Sequence, residues 1–474
     1  MTTENFMFPA EIVSALEHDG FSLLVKGDAG TGKTTLALEL VSYYSQKGKT
    51  LYLATRVSPS KIYQQFPWIE ESIPPENILE AKREILYPPE KRTDLEYSNT
   101  PSFLKSLHSK ILGAEGPTTC VVVDSLDALK SSLRLTENGL NIEDVLLEVC
   151  EKTHSNLVLI SETSKPSKLD YLVDGVVRLE KRIINQRVLR ELIIEKLRGV
   201  EIKNPSHLFT LHGGRFACLG KAFERKLEKP KIPEPVKPTG DKIPTSIRVL
   251  DSILGGGFEK GSLNILEVDK NVGINHVHVF FPIFVNYLLL DYPFFLVPSQ
   301  GLSLKDGRYL TAPLLENRDT LQKIKNLVHV FFPKPIDEAE VSPAQINFFY
   351  GLDPFDDFKK LKKAVVSSMR ASDADAFLCS MSSDALRYVY GSQALGNIIS
   401  GWVSELKKLG GVIVFFYFGE DDFNLPTHLA SSYFKLESMG GNIVFYGENP
   451  KTQMYVVHVD HSKGYVDTQL IPVS

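Results

Sequence analysis

The chain has 474 residues, 43% hydrophobic and 23% charged, with 53 Lys and Arg against 58 Asp and Glu and a formal charge of −5. Such a length and apolar content favour two or three cores over one, and the mildly acidic balance excludes a surface built throughout to neutralise phosphodiester backbones. Cys120, Cys150, Cys218 and Cys379 lie far apart without a CxxC pair, which points to reduced structural thiols in a cytoplasmic protein and away from disulfides or zinc.

Met1 to Phe8 is acidic and polar instead of basic and then apolar, so no secretory signal is expected. The apolar run Phe21 to Val25 reads as a strand, and Thr35 to Tyr44 has the apolar spacing of a helix. Between them Gly27, Asp28, Ala29, Gly30, Thr31, Gly32, Lys33 and Thr34 fit GxxxxGK[ST] in its strand–loop–helix setting. Glycines at 27, 30 and 32 let the backbone wrap an anion at the positive end of the following helix, whose first turn includes Thr35. Lys33 is expected to reach the β- and γ-phosphates of ATP, with the Thr34 hydroxyl on Mg²⁺. A second acid is needed to hold the metal, and Asp124, ending Cys120-Val-Val-Val-Asp124, supplies it.

Farther on, Arg178 to Arg198 carries Lys181, Arg182, Arg187, Arg190 and Lys196, read either as a solvated face or as a basic stripe for nucleic acid. Pro, Lys and Glu dominate 222–242, a semi-rigid linker that divides the chain into 1–221 and 243–474. On both sides β-branched runs alternate with amphipathic segments, so each half is expected to be α/β with a mostly parallel sheet flanked by helices. The halves also echo each other: Asp174 to Glu180 with Ser431 to Glu437, Leu157 to Ser161 with Val412 to Phe416, and Lys196-Leu-Arg-Gly199 with His461-Ser-Lys-Gly464. Val277 to Leu290, interrupted by His278, Pro282 and Asn286, is too short for a bilayer and reads as a buried strand or helix, so no membrane is implied.

Val121 to Leu129, Asp174 to Leu179, Ile194 to Gly199, and Thr245 to Phe258 followed by Lys260 to Leu263 resemble consecutive signatures of the KaiC-like branch of RecA-fold ATPases. The resemblance implies two tandem RecA-like domains and assembly as a homo-oligomer. It implies that Lys196 and Arg198 reach a neighbour's nucleotide, neutralising charge as the γ-phosphate departs. The bland alternative is a solvated hairpin. Ser161 and Glu162 match the family's polar sensor position, with a helix cap as the alternative.

Two departures qualify it. The family usually has a water-activating glutamate after the strand that follows the P-loop helix, whereas Leu51 to Pro59 places Arg56 and Val57 there. Losing a positioned base costs about 10²- to 10⁴-fold in rate while binding survives. Glu162 is a substitute for orienting water, and Arg56 is expected either to sense the γ-phosphate or to form a salt bridge. In the second half, aligning Gly273 with the last loop glycine puts Ile274 at the lysine and Asn275 at the Mg²⁺ hydroxyl position; Ser380 stands for the aspartate, and Glu267 and Asp269 would repel phosphate. That half therefore reads as a pseudo-ATPase domain with a degenerate site. Asp384 is read as a helix cap or a displaced metal ligand, and His276 and His278 as packing or surface residues.

Ala54 to Pro59 with Gln65 to Trp68 also resembles the P-loop domain of the archaeal gas-vesicle regulatory GvpD proteins, implying a nucleotide switch acting on protein partners. The leading expectation is a slow ATPase of that kind. A recombinase-like or motor ATPase on DNA, and a scaffold merely stabilised by ATP, are the alternatives.

Overall fold

The computed structural model describes residues 8–80, 102–111, 118–133, 141–219, 230–299, 308–332, 343–419 and 427–473. Of the segments read above, Met1 to Met7 and 222–229 lie outside them. The chain separates into two compact units, Met1–Gly220 with Val473–Ser474, and Lys221–Pro472.

In the first unit the strands are β1 (Ser22–Gly27), β2 (Lys49–Ala54), β3 (Ile78–Glu80), β4 (Thr118–Asp124), β5 (Asn156–Ile160), β6 (Gly175–Ile184), β7 (Arg187–Leu197), β8 (Ser206–Thr210) and β9 (Ala217–Cys218). The helices are α1 (Ala10–Leu16), α2 (Lys33–Ser45), α3 (Pro59–Gln65), α4 (Ser102–Ile111), α5 (Leu126–Leu133), α6 (Ile142–Lys152) and the short α7 (Leu169–Leu172). The sheet order is β3-β2-β4-β5-β1-β6-β7-β8-β9, parallel from β3 to β6 and antiparallel thereafter. Its central strands are buried on both faces and mostly apolar, as a sheet covered on both sides requires. One core packs Leu36, Leu40, Val41 and Tyr44 of α2 against Val25, Val122 and Ile160, and the opposite face packs Leu24, Val121 and Leu159 with Leu129 and Leu146. Buried Asn156 accepts from the Phe21 amide (2.8 Å) and donates to Leu16 O (2.9 Å) and Tyr44 Oη (2.8 Å), tying α1 and α2 to the base of β5.

The second unit has β10 (Lys242–Ile243), β11 (Phe258–Glu259), β12 (Leu263–Val268), β13 (Phe294–Val297), β14 (Val328–Phe332), β15 (Gln345–Phe348), β16 (Phe377–Ser382), β17 (Gly411–Phe418), β18 (Ser432–Met439), β19 (Asn442–Asn449), β20 (Tyr455–Asp460) and β21 (Asp467–Pro472). Its helices are α8 (Arg248–Ile253), α9 (Val277–Leu289), α10 (Arg308–Glu316), α11 (Arg318–Leu327), α12 (Pro354–Ser372), α13 (Ser383–Tyr390) and α14 (Ser392–Lys408). The main sheet runs β15-β14-β13-β16-β17-β12-β18-β19-β20-β21. The lipid-like run is therefore a largely buried helix, α9, with Pro282 inside it. From residue 230 the Pro-rich stretch lies on this unit, with Lys231 N bonded to Gly464 O (2.8 Å) and Val236 N to the buried Asn286 Oδ1 (2.8 Å).

The two main sheets repeat one topology, with β12 in the place of β1, β16 of β4, β17 of β5 and β18 of β6. Registers align them residue by residue: Gly27 faces Leu179 within Arg178-Leu-Glu180, and Val268 faces Leu436 within Lys435-Leu-Glu437. Counting on from Gly27 and Val268 brings Gly32 to Gly273, Lys33 to Ile274 and Thr34 to Asn275. Two expectations are corrected. Val123 faces Leu159 and Met381 faces Phe415, so the counterpart of Asp124 is Ser382 and not Ser380. The Lys196–Gly199 turn ends the strand paired with β6, whereas His461–Gly464 follows β20, one strand farther across the sheet, so those strings are not equivalent.

Candidate nucleotide site

The loop from Gly27 to Gly32 leaves the carboxyl end of β1 and turns into α2. Gly30 (φ 75°) and Gly32 (φ 102°) hold left-handed conformations, and a Cβ on Gly32 would meet the Leu211 side chain at 2.9 Å. Asp28, Ala29 and Gly30 are exposed at the tip, while Thr31 and Thr35 are buried. Thr31 Oγ1 donates to Asp28 O (2.9 Å) and Ser164 Oγ to Asp28 Oδ1 (3.1 Å). The Lys33 ammonium folds back over the loop, donating to Gly27 O (2.6 Å) and Asp28 O (2.8 Å). Burial lowers its pKa, opposed by the charges of Asp124, Glu162, Asp28 and Asp127.

Asp124 ends β4 beside the loop, and Thr34 Oγ1 donates to its Oδ2 at 2.8 Å. The Tyr52 hydroxyl, buried on the neighbouring β2, donates to the same oxygen at 2.7 Å. Thr55 N and Oγ1 both donate to Asp124 O at 2.9 Å, fixing the backbone of that strand end. A hydroxyl and a carboxylate in contact next to a lysine and glycine-shaped backbone amides form the donor set that suits a Mg²⁺–triphosphate.

Beyond Asp124 the polar chain continues. Ser125 Oγ donates to Glu162 Oε1 (2.5 Å), and Arg56 Nη2 donates to Glu162 Oε2 (2.7 Å). Arg56 thus forms the salt bridge that was one of its two expectations. Ser161 Oγ and Glu162 N bind Asp127 Oδ2 (3.1 and 2.6 Å), so this pair follows β5 without capping a helix; the next helix is α7.

Lys196 and Arg198 close a turn of their own chain. Lys196 Nζ donates to Asp170 O (3.0 Å) and Val173 O (2.5 Å), and Arg198 to Tyr171 O (3.1 Å) and Asp174 Oδ1 (3.0 Å), satisfying carbonyls at the end of α7. Most cations of the expected basic stripe have partners: Arg178 with Glu180 and Glu195, Arg182 with Glu180 and Glu191, and Arg187 with Asn185 O. Arg190 donates to Gly30 O (2.9 Å), a contact with the loop that spacing alone could not reveal. Sequence reasoning also missed Tyr52 and Lys26, which is buried in β1 and bonded to Asp170 Oδ2 at 2.7 Å.

In the second unit Ile274, Asn275 and Ser382 occupy the places of Lys33, Thr34 and Asp124. Glu267 is taken up by Lys435 (3.2 Å) and Tyr433. Asp384 accepts from Ala385 N (2.8 Å) and Ser299 Oγ (2.6 Å) in the first turn of α13. His276 and His278 are buried, and burial lowers the His276 pKa.

The fold and site together define a P-loop nucleotide-binding domain within a tandem α/β chain. Residues 15–195 match the family described as "GvpD gas vesicle protein, P-loop domain". "Protein GvpD2" of Halobacterium salinarum (strain ATCC 700922 / JCM 11081 / NRC-1) is 30% identical over 276 residues, 56% of this chain and 56% of its own length. "Protein GvpD1" of the same strain is 28% identical over 277 residues, 56% of this chain and 51% of its own. The chain spans about half the length of these curated relatives, and its resemblance to GvpD, centred on the P-loop domain, is real. No helix among the described residues is long and apolar enough to cross a membrane.

Proposed function

We propose that the first unit binds ATP with Mg²⁺ and serves as a slow nucleotide switch acting through protein contacts in the cytoplasm, with the second unit as its pseudo-ATPase partner. The observation that carries this reading is the convergence of Thr34 and Tyr52 on Asp124 Oδ2 beside Lys33. Loop amides and the Lys33 ammonium, exchanging its carbonyl partners for phosphate oxygens, would hold the triphosphate. Mg²⁺, when bound through Thr34 and Asp124, supplies charge neutralisation across the β- and γ-phosphates. Glu162 is the carboxylate near Lys33 suited to orient a water. Arg56 and Val57 stand after β2 where a water-activating glutamate would be needed, and the loss of a base there supports slow conversion of ATP and water to ADP and phosphate. Lys196 and Arg198 are cations for a neighbour's site in a homo-oligomer, once released from their own turn. The GvpD resemblance supports regulation through protein partners. The paired cations of the 178–198 hairpin weigh against a DNA motor.

Titration with a fluorescent ATP analogue, with and without Mg²⁺, tests the reading. Wild type should bind and Lys33→Ala should lose binding, and turnover should rise with protein concentration and fall in Arg198→Ala. Binding untouched by Lys33→Ala refutes the site; rapid turnover independent of Arg198 refutes the slow switch; binding without any turnover leaves the ATP-stabilised scaffold.

A further inference from the structure

Arg56 occupies a distinctive place among the cations of the first unit. It lies two residues beyond the carboxyl end of β2, where Ala54 faces Asp124 across the sheet, so it emerges at the edge that carries the phosphate loop. Glu162 emerges two residues beyond β5, the strand between Asp124's strand and the loop strand. The polar chain from the loop is continuous: Thr34 to Asp124 (2.8 Å), Asp124 joined covalently to Ser125, Ser125 to Glu162 (2.5 Å), and Glu162 to Arg56 (2.7 Å). Glu162 also acts electrostatically on the Lys33 ammonium, so its carboxylate belongs to the charge environment of the phosphate site. Arg56, in contrast, is 63% exposed on its side chain, and Glu162 is its partner among the described residues.

An exposed guanidinium held by one charged contact is inexpensive to redirect, because solvent-exposed ion pairs contribute little net free energy. A phosphoryl group entering this edge competes with Glu162 for it, with geometry suited to the planar fork of arginine. The terminal phosphate is what distinguishes a triphosphate from a diphosphate, and Lys33 and the loop amides serve both. Resting on the nucleotide reading above, we propose that Arg56 is the triphosphate-selecting residue of this site: it exchanges its Glu162 salt bridge for the terminal phosphate, so that ATP and ADP are told apart by a cation that leaves a carboxylate. The same exchange frees Glu162 Oε2, coupling recognition of the third phosphate to release of the carboxylate.

The test is equilibrium binding of Mg²⁺–AMP-PNP and Mg²⁺–ADP to wild type, Arg56→Ala, Arg56→Lys and Glu162→Gln. Arg56→Ala should weaken AMP-PNP about tenfold or more, as expected for loss of a charge-assisted contact, and leave ADP within about twofold. Arg56→Lys should recover part of the loss, because it keeps the charge without the fork. Glu162→Gln, which removes the competing charge, should tighten AMP-PNP relative to ADP. Equal effects of Arg56→Ala on both nucleotides, or none on either, overturn the proposal while leaving the nucleotide site standing. If the wild type binds neither nucleotide, the site reading itself falls, and this inference with it.

Discussion

Lys26 is an ammonium 2% exposed in β1, directly before the phosphate loop, with Asp170 Oδ2 at 2.7 Å and Glu195 Oε2 at 3.9 Å. Its near partner belongs to α7, so the pair pins that helix to the strand from which the loop springs. Removing Asp170 alone strands a buried cation, for which ~3–5 kcal/mol is typical. Glu195 takes over part of the charge from farther away, placing the expected cost near ~3 kcal/mol. Removing both charges, as Lys26→Met with Asp170→Ala, leaves an apolar side chain in an apolar strand and should reduce the loss to ~1 kcal/mol, because breaking a buried pair costs more than replacing it. For a unit of this size 1 kcal/mol corresponds to roughly 2–4 °C in Tm, so Asp170→Ala should lower Tm by roughly 6–12 °C and the double variant by much less. The assay is thermal unfolding followed by Trp68 fluorescence in a Trp402→Phe background, since the chain's two tryptophans fall one in each unit. A single variant within about 2 °C of wild type, or a double variant no more stable than the single one, would refute the argument.

Tyr52→Phe removes a donor to Asp124 Oδ2 and should weaken Mg²⁺-dependent nucleotide binding roughly tenfold with little loss of fold, read by titrating Mg²⁺ at fixed nucleotide. Isothermal titration should give one nucleotide per chain, since Ile274, Asn275 and Ser382 leave the second unit without the lysine, hydroxyl and carboxylate; a stoichiometry of two would contradict the assignment. Burial acts to raise the pKa of Asp170 and Asp174, but hydrogen bonds from Lys26 and Ser167 to the first, and from Ser22 and Arg198 to the second, hold both below the ordinary carboxylate range. A folded pKa below the unfolded value near ~3.9 gives stability that is present above that value and lost as pH falls through the folded pKa. Unfolding of the first unit should therefore become easier below about pH 4, and Asp174→Asn should flatten that acid dependence in pH-stepped melts.

The phosphate loop was legible because its chemistry is local: three glycines, a lysine and a threonine stand within the eight residues 27–34, where a strand passes into a helix. Asp124 was legible for the same reason, at the end of an apolar run. What escaped is set by sheet order. Tyr52 reaches Asp124 because β2 lies beside β4, and Arg56 meets Glu162 across 106 residues of sequence; no spacing encodes either contact. Arg190 reaches Gly30 only because the β6–β7 hairpin lies beside β1. The misplacements have the same origin. Matching His461–Gly464 to Lys196–Gly199 compared two glycine-ended turns one strand apart, and placing the missing aspartate at Ser380 counted from an apolar run without the register that puts Ser382 there.

That register also shows how two sheets of one topology can differ at the phosphate-loop edge while their interiors stay alike. Leu263, Ile265, Phe377, Cys379, Ile413 and Phe415 form a core as apolar as that of the first unit, because strand interiors answer to packing. Lys33, Thr34 and Asp124 lie at the carboxyl edge, where a side chain that holds a ligand contributes little to either core. Exchanging them for Ile274, Asn275 and Ser382 therefore removes charge and coordination while the hydrogen-bonded ladder remains. Glu267, within β12, is paired with Lys435 and accepts from the Tyr433 hydroxyl, whereas the edge of the first unit keeps Lys33 facing carboxylates and Arg56 on a salt bridge to Glu162. Within each unit the edge thus shows which charges are settled in the free chain. In the second Glu267 is paired with Lys435, while in the first Lys33 and Arg56 hold partners that a polyphosphate can displace.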